Sequence, residues 1–244
     1  MKTQKIRKYK RKCTFYEKYV KRIMDFVCAL LAIVVFWWLY LIIALLVKIK
    51  LGSPVIFKQY RPGLNETIFP LYKFRTMTDE KDQDGNFLPD GVRLTPFGKW
   101  FRSTSLDELP EVFNIIKGDM SVIGPRPQLV RDMVFMTNEQ RRRHLVRPGL
   151  SGLAQVNGRN AITWENKLDY DLQYIKKITF YGDVKIIVQT VMKVFVKQEG
   201  ITEEDIDTAT DFGDYLLQEG KVEQAKYDKL QIKSKEILEE VMCR

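Results

Sequence analysis

Hydropathy along the chain is lopsided, with one long apolar run near the start and then short amphipathic stretches divided by glycine and proline. Phe26 to Val47 carries no charge, a run of about 22 positions that would make a helix roughly 33 Å long. That length suits a bilayer and exceeds a routine core helix. Gly52-Ser-Pro54 ends it. From Val55 to Met77, apolar pairs around Arg61-Pro-Gly63 and Pro70 predict brief strands or turns. Residues 79–91 read as a polar loop. Asp79, Asp82 and Asp84 alternate loosely as in a calcium loop, but the acid required at its twelfth position is missing. Helices are predicted over about Leu106–Ile116, Gln128–Arg143, Trp164–Ile175 and Asp183–Lys197. The last of these has Ile186, Ile187, Thr190, Val191 and Val194 along one face. A glycine-rich stretch from Arg147-Pro-Gly149 to Asn157-Gly-Arg159 separates the second and third helices. Beyond Ile201, two short helices are expected within 210–220 and 227–242, the second with Leu230, Ile237 and Val241 on one face.

The fold class is therefore α+β and predominantly helical, an N-terminal membrane helix followed by a compact domain with a few short strands. Four segments follow: a basic one at 1–22, the membrane helix at 23–51, the main domain at 52–200 and an acidic appendage at 201–244. The appendage is either a docking element for a protein partner or a solvated tail.

Charge sharpens this division. The whole chain carries +9, but residues 201–244 hold 12 acids against 6 bases, leaving +15 for residues 1–200. A body this basic expects an anionic partner, such as lipid headgroups, nucleotide phosphates or nucleic acid. Residues 1–22 contain ten Lys/Arg with Glu17 the one acid, and Lys48, Lys50, Lys58 and Arg61 follow the apolar run. Positive charge at both ends favours the cytoplasmic side for both, which a re-entrant helix satisfies and a simple span does not. The lack of Pro or a Gly/Ser pair between Phe26 and Val47 argues for the span. Cys13, Cys28 and Cys243 are scattered and without metal spacing, which points to reduced thiols. The one histidine, His144 in Arg141-Arg-Arg-His144, excludes a multi-histidine metal site and reads as a solvated basic helix end.

Chemistry concentrates in Phe101-Arg-Ser-Thr-Ser-Leu-Asp-Glu-Leu-Pro-Glu111. Asp107 and Glu108 stand together at a predicted helix start. A structural reading is available, because Ser105 and Glu108 match a Ser-x-x-Glu capping box. The other reading is chemistry on a phosphate ester, with a stiff loop at Pro125-Arg-Pro127 displaying one arginine.

The motifs Lys73-Phe-Arg-Thr-Met77, Leu94-Thr-Pro-Phe-Gly98, Arg102-Ser-Thr-Ser-Leu-Asp-Glu-Leu-Pro110, Gly118-Asp-Met-Ser-Val-Ile-Gly-Pro-Arg-Pro127 and Arg147-Pro-Gly-Leu-Ser-Gly-Leu-Ala-Gln-Val-Asn-Gly-Arg159 occur in one order. Together they resemble the bacterial sugar transferases, the small monotopic polyprenyl-phosphate phosphoglycosyl transferases, over about residues 18–198. The resemblance implies transfer of a sugar-1-phosphate from a UDP-sugar to polyprenyl (undecaprenyl) phosphate, with release of UMP, at the cytoplasmic face of a bacterial inner membrane. This would be the first membrane step of glycan assembly. It implies Asp107 as the nucleophile of a phosphosugar-aspartate intermediate, and Glu108 as a magnesium ligand or base. Arg102 and Arg126 would steady phosphates. Asp171 and Asp183 match family acids, though helix-end capping would also explain them. Lys73 and Arg75 would face the nucleotide or lipid headgroups, and Arg147 and Arg159 would bind substrate, with a plain turn the other reading of Asn157-Gly-Arg159.

Two departures from the family pattern stand out. No proline breaks Val35-Phe-Trp-Trp-Leu39, and Glu111 replaces a usual glutamine, adding negative charge beside Glu108. The rival from another class is a non-catalytic, membrane-tethered basic binding or scaffold protein. Nucleic acid is not expected as a partner, because no basic and aromatic cluster appears. Anionic lipid is, and self-association stays open.

Overall fold

In a computed structural model, residues 13–158, 162–195 and 210–243 are described. A π-helical turn, Tyr16–Val20, leads into α1, Lys21–Leu51. At 31 residues, α1 is roughly 46 Å long and forms one unbroken α-helix. That continuity is in keeping with the absence of any residue that kinks a helix. This is the one helix among the described residues long and apolar enough to cross a membrane.

α1 is buried on one stripe at each end, through Lys21, Asp25 and Ala29 near the start and Ile43, Val47 and Leu51 near the finish, with no buried residue between Ala29 and Ile43. The opposite face, including Val34, Trp37, Leu41 and Ile49, is exposed and apolar. Both ends grip the same body. Near the start, Lys21 Nζ lies 2.5 Å from Asp183, Arg22 donates to the carbonyls of Ile115 and Ile116, and Asp25 accepts the Val122 N–H. Near the end, Val47 and Leu51 pack with Phe74 and Phe101, and the Tyr40 hydroxyl donates to the Leu109 carbonyl.

Strands β1 (Ile56–Pro62) and β2 (Ile68–Phe74) form an antiparallel hairpin, paired from Ile56↔Phe74 to Pro62↔Ile68. Its alternation puts Phe69 and Leu71 into a cluster with Ala29, Val112, Ile115 and Met120. The polar loop that follows owes its shape to Asp82, whose Oδ1 accepts the N–H groups of Asp84 and Asn86. Helices α2 (Asp90–Arg93) and α3 (Pro96–Ser103) come next. Thr95 caps α3, and Gly98 sits where a Cβ would lie 2.0 Å from the Thr76 carbonyl oxygen. That contact explains the glycine of Leu94-Thr-Pro-Phe-Gly98.

The helix predicted over Leu106–Ile116 is broken. Leu106–Glu108 is a 3₁₀ turn, and α4 is only Glu111–Lys117. Pro110 has no N–H for the Leu106 carbonyl, so a continuous helix is closed to this sequence. The capping box also fails, since Ser105 is left-handed (φ 57°) and its side chain caps nothing.

β3 (Ser121–Ile123) pairs in parallel with β4 (Gly149–Ser151). Between them, the helix predicted over Gln128–Arg143 is also divided, into α5 (Val130–Met133) and a 3₁₀ segment, Gln140–Leu145. Thr137 and Gln140 exchange side chain–backbone hydrogen bonds that compete with helical ones. After α6 (Leu153–Val156) come α7 (Trp164–Lys176) and α8 (Phe180–Phe195). In α8, Ile186 is buried but Ile187 and Val191 are exposed, so the expected face points only partly inward. The Val194 side chain and Lys197 lie outside the described residues.

The C-terminal helices are α9 (Phe212–Gln218) and α10 (Gln224–Met242). They share a core with the main domain. Phe212 is buried with Trp164, Leu168, Phe135 and Met136, and Leu230 packs against the same cluster. Asp211 pairs with Arg131, Trp164 Nε1 donates to the Thr210 carbonyl, and Asp132 accepts the Phe212 N–H.

Candidate active site

The acid pair is brought to the end of the hairpin. β2 presents Lys73, the 3₁₀ turn presents Asp107 and Glu108, α4 begins with Glu111, and the loop after β3 presents Arg126. Glu108 Oε1 accepts from Lys73 Nζ at 2.8 Å and from Arg126 Nη2 at 2.6 Å. Lys73 also reaches Glu111 Oε1 at 3.3 Å. One lysine and one arginine thus serve a tight group of carboxylates.

Electrostatics separates those carboxylates. Burial works against ionisation of Glu108, but Arg126 and Lys73 overcome it and hold the group well below the usual carboxylate range. Burial and the Glu108 charge push Glu111 up to about 7, against the pull of Lys73. Asp107 is only 8% exposed and makes no side-chain hydrogen bond among the described residues. Burial raises its carboxyl to about 6, with Glu108 adding to the rise while Lys73, Arg102 and Arg126 oppose it. Ser105, two residues earlier, holds its left-handed backbone without being glycine, a strained conformation that sets the direction of this turn.

The Arg126 loop is fixed from both sides. A Cβ on Gly124 would meet the Arg147 carbonyl oxygen at 2.5 Å, so the loop packs backbone to backbone on the segment before β4. The Gly149 N–H donates to Pro125 O at 3.0 Å. From below, Arg143 Nη2 donates to the Arg126 carbonyl at 2.5 Å. Arg143 is itself fully buried, with Nε and Nη2 both on Asp171 Oδ2 at 2.8 and 2.7 Å.

Of the residues singled out from sequence, Lys73, Asp107, Glu108 and Arg126 come together. Arg102 lies close enough to Asp107 to feel its charge, while its Nε donates to Thr76 Oγ1. Arg75 is instead paired with Asp79 at 2.7 Å. Asp171 is engaged by Arg143, and Asp183 by Lys21, with the Tyr16 and Tyr174 hydroxyls at 2.9 Å. Neither caps a helix with its side chain. Arg147 donates to the Gly118 carbonyl and lines a separate cavity of about 200 Å³ with Lys21, Arg22 and Tyr174. Arg159 lies outside the described residues.

Sequence reasoning missed Arg143 and the clamp of Lys21, Arg22 and Asp25. It also misread His144, which is buried, with Nδ1 3.2 Å from the Arg141 carbonyl. A run of three arginines on a 3₁₀ turn points in different directions, so composition alone hides the buried one. Lys21-Arg22 directly before the apolar run, with Asp25 one turn on, was the available signal for the clamp.

Comparison with known proteins places the chain in a family. Residues 16–197 match the family described as "Bacterial sugar transferase". The uncharacterized sugar transferase EpsL of Bacillus subtilis (strain 168) is 48% identical over 193 residues, covering 79% of this chain and 95% of that protein. A UDP-glucose:undecaprenyl-phosphate glucose-1-phosphate transferase of Klebsiella pneumoniae is 39% identical over 193 residues, covering 73% of this chain and 40% of that protein. The UDP-N-acetylgalactosamine-undecaprenyl-phosphate N-acetylgalactosaminephosphotransferase of Aeromonas hydrophila is 40% identical, covering 72% of this chain and 44% of that protein. The match thus spans less than half the length of the latter two. The chain belongs to the bacterial sugar transferase family and is by that membership a transferase enzyme.

Proposed function

We propose that this chain transfers a sugar-1-phosphate from a UDP-sugar to undecaprenyl phosphate through a covalent intermediate on Asp107. The observation that carries the proposal is a buried carboxylate with no side-chain hydrogen bond among the described residues, next to a second carboxylate that two cations hold ionised. An Asp107 oxygen attacks the sugar-linked phosphorus. The bond from that phosphorus to the bridging oxygen breaks, and UMP leaves with the electron pair. An oxygen of the lipid phosphate then attacks the same phosphorus and releases the Asp107 carboxylate. Two steps allow a soluble nucleotide and a membrane lipid to visit one site in turn. Lys73, Arg102 and Arg126 surround the reacting group with positive charge where the transition state gathers negative charge. The names of the relatives from K. pneumoniae and A. hydrophila support the donor and acceptor classes.

A magnesium ion fits this donor set. Both hydrogen bonds to Glu108 fall on Oε1, leaving Oε2 for a hard cation, with Asp107 adjacent. Among the described residues no group of three His, Cys, Asp or Glu could hold a metal, so substrate oxygens would complete the shell. Bound there, the ion would neutralise diphosphate charge and ease departure of UMP.

The contacts of α1 support a membrane position for the domain. Because both ends of the helix grip one body, they could lie on opposite sides of a bilayer only if that body entered it. We place the main domain at the cytoplasmic face of the inner membrane, with the apolar outer faces of α1 and α8 against lipid. The test is UMP release from a panel of UDP-sugars by enzyme in lipid, with and without undecaprenyl phosphate and with and without chelator. A burst of about one UMP per enzyme without acceptor and sustained release with it, both dependent on magnesium, are expected. No release with any donor would overturn the proposal.

A further inference from the structure

Arg61 on β1 carries a guanidinium that pairs with no carboxylate among the described residues. Its Nη2 donates to Gln59 Oε1 at 2.5 Å, while Nε is buried and has no hydrogen-bond acceptor among them. Arg61 is nevertheless close enough to Arg126, Asp132, Glu111 and Glu108 to feel each charge. Those acids are engaged elsewhere. Glu108 receives Lys73 and Arg126, Glu111 lies against Lys73, and Asp132 accepts the N–H groups of Leu129 and Phe212. Burial, with Arg126 pressing from the same side, pushes the Arg61 guanidinium down to about 10. A half-buried cation beside a second cation, in direct contact with no carboxylate among the described residues, keeps donors that a bound anion would satisfy.

The fold holds Arg61 in this position. Gln59 and Arg61, two apart on one strand, share a face of the hairpin. The hairpin turn is tied down by Arg141, whose guanidinium grips both oxygens of Glu66. A guanidinium whose single observed side-chain acceptor among the described residues is Gln59 keeps donors for phosphate oxygens.

We infer that Arg61 is a phosphate-binding residue of the active site, acting beside Arg126 on either the donor diphosphate or the acceptor phosphomonoester. This deepens the reading of the chain as a UDP-sugar:undecaprenyl-phosphate transferase and rests on it. Both groups present the same tetrahedral oxyanion, so the experiment separates them. Wild type, Arg61→Gln and Arg61→Lys enzymes in lipid would be compared in two assays. One is the UMP burst with UDP-sugar alone, which reads the donor half-reaction. The other is steady-state turnover against undecaprenyl phosphate concentration, which reads the acceptor. Arg61→Gln is expected to lower kcat/KM for one substrate by ~10- to 100-fold at unchanged melting temperature, with a smaller loss for Arg61→Lys. A loss in the burst assay assigns Arg61 to the donor, and a loss confined to the acceptor titration assigns it to the lipid phosphate. Unchanged constants in folded Arg61→Gln enzyme would overturn the inference. If that variant does not fold, unchanged constants in Arg61→Lys would do so. A wild type that releases no UMP from any donor fails the underlying reading, whereas an active wild type with indifferent variants fails only the role of Arg61.

Discussion

Burial and a neighbouring carboxylate place the Asp107 carboxyl at about 6, and that value sets where the proposed nucleophile is ionised. Above it the attacking oxygen is anionic, and below it the group is protonated and inert. The acidic limb of kcat/KM for the UDP-sugar should therefore bend near pH 6, falling tenfold per pH unit below. An acidic limb bending near pH 4 would show that Asp107 is not the titrating group. Glu111 offers a second test, through stability. Its folded value near 7 exceeds the ordinary glutamate value, so the folded state binds the extra proton between roughly pH 4.5 and 7. Stability from this group is present below that window and is lost as pH rises through it. Glu111→Gln should therefore be more stable than wild type at pH 8, by on the order of 1 kcal/mol, with the advantage vanishing near pH 4.5. Melting temperatures at the two pH values decide this.

Among the elements, the Arg126 loop depends on a buried ion pair in the next layer. Asp171→Asn would leave Arg143 without its counter-charge, and breaking such a pair costs about 3–5 kcal/mol. Because Arg143 also holds the Arg126 carbonyl, UMP release at temperatures where the variant stays folded should fall as well. A stable variant with normal turnover would disprove that support. This layer also marks where sequence stopped being informative. Lys73, Asp107, Glu108 and Arg126 were legible because each lies in one of the ordered motifs that carry the family resemblance, and at Gly124 the motif glycine has a local cause in its close backbone contact. Trp164–Ile175 was legible from its period alone. The partners of Asp171 and Asp183 were not, since Arg143 and Lys21 lie 28 and 162 positions away and no local pattern encodes such a meeting. The two broken helices were misread for another reason. Apolar spacing continued through Pro110 and Thr137, while a missing donor and a competing side chain ended the backbone ladder.

At the scale of the whole molecule, the acidic C-terminal segment has a structural part to play. Phe212 fills a cluster with Trp164 and Phe135, and its N–H satisfies buried Asp132. A chain ended after Glu199 should lose about 3 kcal/mol or more and melt at lower temperature. Each folded molecule should still release UMP, because Lys73, Asp107, Glu108 and Arg126 all precede the cut. An unchanged melting temperature would show that the contacts of α9 and α10 contribute nothing. The clamp of Lys21, Arg22 and Asp25 has a comparable role at the other end, fixing the apolar helix to the body that carries the site. The apolar helix and the acid pair are thereby joined through one set of contacts, and in the proposed reaction a lipid phosphate and a soluble nucleotide would reach the same carboxylate. The central claim is that this carboxylate carries the sugar phosphate between them. Its most direct test is mass spectrometry of the enzyme incubated with its UDP-sugar and no lipid acceptor. The expected result is one added sugar-phosphate per chain, on the peptide holding Asp107, discharged by undecaprenyl phosphate and absent from Asp107→Asn. An Asp107→Asn enzyme that turns over normally, or a wild type whose adduct sits on another residue, would contradict it.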